Sequence, residues 1–92
     1  MKTDSKVPIH LIFYSGPSHG WLRVPKAIAL EYHRCPGRNI SAFSYFDEDY
    51  IYFEEDCDAP RFLDWIQTTD KKYELLTNNI EDESFIRNKE GT

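Results

Sequence analysis

Ser41-Ala42-Phe43-Ser44-Tyr45-Phe46-Asp47-Glu48-Asp49-Tyr50-Ile51-Tyr52-Phe53-Glu54-Glu55-Asp56 decides how this chain is read. Two runs of aromatic and β-branched residues flank three acidic ones, which is the pattern of a β-hairpin with half-buried strands. With Asp47-Glu48-Asp49 as a three-residue loop, Phe43 faces Phe53 and Tyr45 faces Ile51 on one side of the ribbon. On the other side Ser44 faces Tyr52 and Phe46 faces Tyr50. The first side is expected to be core, the second a partly exposed aromatic strip of Phe46, Tyr50 and Tyr52. A register slipped by one residue exchanges those faces and buries Ser44, the poorer partition of polar and apolar groups.

Upstream, Ile9 to Tyr14 is β-branched and aromatic, Ser15 to Gly20 supplies turn residues, and Trp21 to Val24 is a second apolar run. This is a first hairpin with a wide loop, in which Gly20 is expected to take a positive φ that turns Trp21 inward. Pro25 fits the opening turn of a helix over Lys26 to His33, which Pro36-Gly37 stops. Downstream, Asp58 is an N-cap candidate, Pro60 lies in the first turn, and Phe62, Leu63 and Ile66 recur at helical spacing with Trp65 beside them. A second helix is therefore expected over about Ala59 to Thr68.

Tyr73, Leu75 and Leu76 fit a short closing strand or a helical turn, and Phe85 and Ile86 are the apolar pair in an otherwise polar end. The order hairpin, helix, hairpin, helix predicts an α+β fold: one small domain over residues 1–92, ββαββα plus a short C-terminal segment. Both helices are expected on one face of an antiparallel sheet, with residues 1–7 and about 87–92 mobile.

Composition agrees with one small core, since 40% of the 92 residues are hydrophobic and 15% aromatic, too apolar for a disordered chain. No stretch approaches the ~18 apolar residues of a membrane span, and no apolar signal region follows the first residues. Cytoplasm is the expected location. Cys35 and Cys57 are too few for a disulfide framework and are read as reduced thiols.

The net charge of -5 conceals an asymmetry. Residues 1–46 carry six basic and two acidic side chains, whereas residues 47–92 carry five basic and fourteen acidic. Asp47, Glu48, Asp49, Glu54, Glu55, Asp56 and Asp58 fall in one window without Lys or Arg. Such a face repels nucleic acid, so direct nucleic-acid binding is not expected.

Two stretches carry a resemblance: Ser18-His19-Gly20-Trp21-Leu22-Arg23-Val24-Pro25, and Ser41-Ala42-Phe43-Ser44-Tyr45 followed by Tyr52-Phe53-Glu54-Glu55-Asp56-Cys57-Asp58-Ala59. They resemble small uncharacterised proteins encoded by bacteriophages and plasmids, with the pattern His-Gly-Trp-Leu-x-Val-Pro, Tyr-Ser-Tyr and Leu-Glu-Glu-Asp-Cys-Asp-Ala. The likeness covers roughly residues 10–66, with a weaker echo at Ser84-Phe85-Ile86-Arg87. Phe43 stands where the pattern has its first Tyr, and Phe53 where it has Leu. The resemblance implies a mobile-element origin and a bacterial host cytoplasm; it brings no activity with it.

The acidic window admits three readings. The plainest is a solvated hairpin tip followed by a helix N-terminus, where Asp56 and Asp58 interact favourably with the macrodipole. A second is a surface that imitates nucleic acid, because alternate strand residues are about 6.6 Å apart, of the order of phosphate spacing. A third is a divalent-metal site on Glu54, Glu55, Asp56 and Asp58 with His19, the basis of a small metal-dependent enzyme. The window lacks the Gly and terminal Glu of a calcium hand.

Ser18-His19 has no nucleophile elbow, and His19 is read as a turn histidine against Trp21. Cys57 lies among carboxylates that disfavour its thiolate, and no Cys or His spacing matches a zinc site. No catalytic residue, metal or cofactor is therefore expected. The sequence favours a non-catalytic acidic module from a mobile element, an inhibitor of the anti-CRISPR or anti-restriction kind. Asp47, Glu48, Asp49, Tyr50, Tyr52, Glu54 and Glu55 would occupy a basic site on a host nucleic-acid-handling protein. A homodimer through the tyrosine strip, as in a phage accessory protein, is the third reading.

Overall fold

The computed structural model describes residues 8–92. The expectation of mobility for residues 1–7 lies outside them. Strand β1 (Ile9–Ser15) turns through the Gly16–His19 loop into β2 (Gly20–Pro25), and the two pair antiparallel with Tyr14 opposite Trp21. Helix α1 (Lys26–His33) follows at once, with Pro25 as N-cap at φ -54°. The chain leaves α1 through Gly37, whose φ of +78° is the left-handed turn that glycine takes without strain. Among the described residues no other glycine has positive φ, so Gly20 does not act as expected. Gly20 is required for space instead, because a Cβ there would collide with the Phe13 ring.

Strands β3 (Tyr45–Phe46) and β4 (Tyr50–Glu54) form the second hairpin, and α2 (Ala59–Gln67) begins right after Asp58. Strand β5 (Tyr73–Asn79), the short helix α3 (Ser84–Arg87) and β6 (Glu90–Gly91) complete the chain. The α+β class holds, with α1 and α2 on one face of a six-stranded sheet ordered β5-β1-β2-β4-β3-β6. The sheet is not purely antiparallel: β5 pairs with β1 in parallel, Ile9 opposite Tyr73 and Ser15 opposite Asn79. The cause is α2, which carries the chain back across the helical face so that β5 runs in the same direction as β4 and β1.

The hairpin register also differs from the expectation. Tyr45 pairs with Tyr52 and Phe46 with Ile51, one residue away from the pairing read from the sequence. The Asp47 N–H donates to the Tyr50 carbonyl at 3.0 Å, so the loop is Glu48-Asp49 alone. The Asp47 Oδ1 accepts the N–H groups of Asp49 at 2.9 Å and Tyr50 at 2.8 Å, which locks this shorter turn. As a result Ser44 is fully buried and Phe43 is 66% exposed. Burying Ser44 is tolerated because its hydroxyl donates to the Asp58 carboxylate and accepts the Glu54 N–H at 2.9 Å. Phe46 moves to the helical face, and Tyr45 takes its place beside Tyr50 and Tyr52.

The helical face holds the main core. Leu11, Leu22, Val24, Ile51 and Phe53 from the sheet meet Ala29, Tyr32, Phe62, Trp65 and Ile66 from the helices. The Tyr32 ring stands edge-on to Phe53, Phe62 and Trp65 at 5.7, 5.4 and 5.5 Å. On the opposite face Trp21 and Tyr52 are covered by Ile86 of α3, with Tyr14, Tyr45, Tyr50 and Ile80 around them. Residues 87–92, expected to be mobile, are docked. Strand β6 pairs with β3, Tyr45 opposite Gly91, and the Thr92 N–H donates to the Ser44 carbonyl at 3.0 Å.

Candidate functional site

Of the seven residues singled out from the sequence, only some reach solvent. Asp47 is held by its own hairpin, accepts the Tyr52 hydroxyl at 3.0 Å and pairs with Lys89 Nζ at 3.2 Å. Burial pushes its carboxyl up, but the N–H groups of Tyr50 and Asp49, Lys89 and the Tyr52 hydroxyl outweigh it and hold the group down at about 2. Tyr52 is only 4% exposed, and burial together with the Asp47 carboxylate holds its hydroxyl well above the usual tyrosine range. Tyr50 is half-buried beneath the Arg23 guanidinium, 4.1 Å from the ring centroid.

Glu54 is buried at the end of β4, where its Oε1 accepts the N–H groups of Asp56 and Cys57, both at 2.9 Å. Glu48 and Asp49 are exposed at the hairpin tip, and Glu55 and Asp56 are exposed beyond the other end of β4. Among the described residues none of these four carboxylates makes an ion pair. The window is thus divided between two ends of a strand about 13 Å long, and it makes no row of carboxylates along β4.

The remaining acid of the window is structural. Asp58 precedes α2 but makes no side-chain cap. Its buried carboxylate instead accepts the Ser41 N–H at 3.1 Å, the Ser41 hydroxyl at 2.7 Å and the Ser44 hydroxyl, fixing the 41–44 loop onto the helix entrance. Cys57 lies between these groups. Burial pushes its thiol up, and Glu54, Asp58 and Asp56 push in the same direction. Among the described residues Cys35 and Cys57 are free, and no group of three or more His, Cys, Asp and Glu side chains is placed to hold a metal ion.

Sequence reading missed a second source of acid at the far end of the sheet. The Ile80 N–H donates to the Ser15 carbonyl at 2.9 Å, which brings residues 81–83 to the β1–β2 loop. There the Glu83 carboxylate accepts the N–H groups of Ser18 at 2.8 Å and His19 at 3.1 Å, and the Arg87 Nε at 3.1 Å. The Ser18 N–H is the main cause that holds the Glu83 carboxyl below its ordinary value. Glu55 approaches the end of that loop at Gly20, to whose carbonyl its N–H donates at 3.0 Å. Exposed Glu81 and Asp82 therefore share this end of the molecule with Glu55 and Asp56. The excess of acid after residue 46 was the visible signal; the pairing that gathers it was not.

His19 occupies the place expected of a turn histidine. Its ring is 5.9 Å from that of Trp21, and Arg87 Nη2 donates to its Nδ1 at 2.7 Å. Arg87 also lies over the Trp21 ring, 5.3 Å from its centroid.

Compared with known proteins, the chain matches no family model, no curated protein and no solved structure. No helix among the described residues is long and apolar enough to cross a membrane.

Proposed function

We propose that this chain is a non-catalytic acidic protein-binding module that occupies a basic site on a nucleic-acid-handling protein of a bacterial host. In this reading it acts in the host cytoplasm as an inhibitor of the anti-CRISPR or anti-restriction kind. The observation that carries the proposal is the set of exposed carboxylates of Glu48, Asp49, Glu55 and Asp56, which make no ion pair among the described residues. Glu81 and Asp82 extend the set at the β1–β2 end. Carboxylates presented to solvent by these two turns can meet Arg and Lys of a partner, and their field makes association fast and salt-sensitive.

The binding set is narrower than the sequence suggested. Asp47, Tyr52 and Glu54 hold the fold, and Tyr50 is half covered, so recognition falls to the exposed acids. The test is capture from nuclease-treated bacterial lysate by the wild-type chain and by a variant with Glu48, Asp49, Glu55 and Asp56 changed to Lys. A basic protein retained by the wild type alone, released by salt and displaced by added nucleic acid, supports the proposal. Equal retention by both chains, or none by either, overturns it.

A further inference from the structure

Strand β5 is the outermost strand on one side of the sheet, and its outer edge pairs with nothing among the described residues. The bonds at its two ends fix which groups are spare. The Ile9 N–H donates to the Lys72 carbonyl at 2.8 Å and the Ile80 N–H to the Ser15 carbonyl at 2.9 Å. In a parallel ladder every second residue bonds the neighbour, so Glu74, Leu76 and Asn78 turn their backbone groups toward β1. Tyr73, Leu75, Thr77 and Asn79 turn theirs outward.

Among the described residues this edge has little of the usual protection. It is seven residues long, contains no proline or lysine, and has Glu74 as its sole charged residue. The opposite edge, β6, has two residues. Apolar side chains also gather here: Leu75 is 47% exposed on the helical face, while Leu76, on the other face, is 55% exposed. Phe85 is 43% exposed on that second face, its ring 5.3 Å from that of Tyr14, which sits opposite Asn78.

We propose that the β5 edge is a homodimer interface, in which β5 of a second copy pairs antiparallel about a two-fold axis opposite Leu76. The edge is complementary to itself in that register. Tyr73 lies opposite Asn79 of the other copy and Leu75 opposite Thr77, and these outward-facing residues exchange about eight backbone hydrogen bonds. Leu76 packs on its own counterpart in the closely spaced, non-hydrogen-bonded position. Glu74 meets Asn78, so no like charges are opposed. The two-fold axis is perpendicular to the sheet, leaving the helices of both copies on one face of a continuous twelve-stranded sheet, twice the six strands of one chain. The tyrosine strip takes no part, since Ile86 covers it.

Sedimentation velocity on the full chain from about 1 to 500 µM, a range that spans weak interfaces, tests the proposal. The wild type is expected to pass from monomer to dimer. Thr77→Pro removes an outward N–H while sparing the β1 ladder, and Leu76→Lys sets two ammonium groups against each other at the axis. Each variant is expected to weaken dimerisation at least tenfold, with circular dichroism unchanged. In a background with Cys35 and Cys57 changed to Ser, Leu76→Cys is expected to form an inter-chain disulfide on oxidation, and Leu30→Cys is not. A wild type that stays monomeric throughout, whether its edge is bare or taken by another strand, overturns the proposal. So does a dimer that both edge variants leave intact.

Discussion

The hydroxyl of Ser44 donates to the carboxylate of Asp58, 14 residues further along the chain, with both side chains buried. This pair sets the hairpin register, because it supplies the acceptor that lets a serine replace Phe43 on the interior side. Asp58→Ala strands the Ser41 N–H and the hydroxyls of Ser41 and Ser44. It is expected to cost about 2–4 kcal/mol, for unsatisfied buried groups once bonded to a charge. Asp58→Asn keeps an acceptor and is expected to cost less. Urea unfolding of both variants beside Ser44→Ala is the measurement, and a loss below about 0.5 kcal/mol for Asp58→Ala would remove the pair from its role.

Acid stability should report on Asp47. Its carboxyl is held at about 2 against an ordinary value of 3.8, so the folded state binds the proton more weakly than the unfolded chain. The resulting stabilisation is fully present above pH 3.8 and is lost as pH falls toward 2. About 1–2 kcal/mol is expected from this group, after allowance for its partial exposure. Tyr52→Phe and Lys89→Ala each remove a partner of the carboxylate and should raise its midpoint in a carbon-detected NMR titration. An unchanged midpoint in both would be evidence against the cluster.

Glu83 works as a clamp on the β1–β2 loop. Glu83→Ala is expected to speed amide exchange at Ser18 and His19 while the exchange of β2 and β4 stays slow. Gly16→Ala should give the same pattern, because a Cβ there would stand 2.5 Å from Glu83 Oε2 and push the carboxylate away. If the loop amides of both variants exchange as in the wild type, the clamp is not operating.

The second core has Ile86 as its fully buried aliphatic side chain. Ile86→Ala uncovers Trp21 and Tyr52 and is expected to cost about 2–4 kcal/mol by thermal or chemical unfolding. Phe43→Ser removes a larger side chain from the surface and should change stability by no more than about 0.5 kcal/mol. The opposite ranking would restore the register read from the sequence.

Much of the fold was legible because its signals are local. Ile9 to Tyr14, Trp21 to Val24 and Tyr50 to Phe53 are concentrated β-formers, and the two helices begin beside Pro25 and Asp58 as expected. What escaped depends on partners distant in sequence. Ser44 looked like a surface residue because its acceptor lies across a strand and a turn, and β5 looked ambiguous because its pairing follows from the crossover through α2. Glu54 looked like free acid and Asp58 like a helix cap, since the N–H and hydroxyl groups they bind leave no mark in the sequence. The acidic character and the acidic hairpin tip were legible, but the gathering of Glu81 and Asp82 with Glu55 and Asp56 at the β1–β2 end was not.

The pairing of β1 with β5 also sets the timetable of folding. Ile9 and Tyr73 are neighbours in the sheet yet about 64 residues apart along the chain, and such closures make folding slow relative to local hairpins. A nascent chain can form both hairpins and α1 while β1 still lacks its outer neighbour. Only when residues 73–79 have been synthesised does β1 acquire its second partner. Completion of the native sheet therefore waits for residues 73–79, and chains whose translation stops before them are left with β1 as a bare template for aggregation.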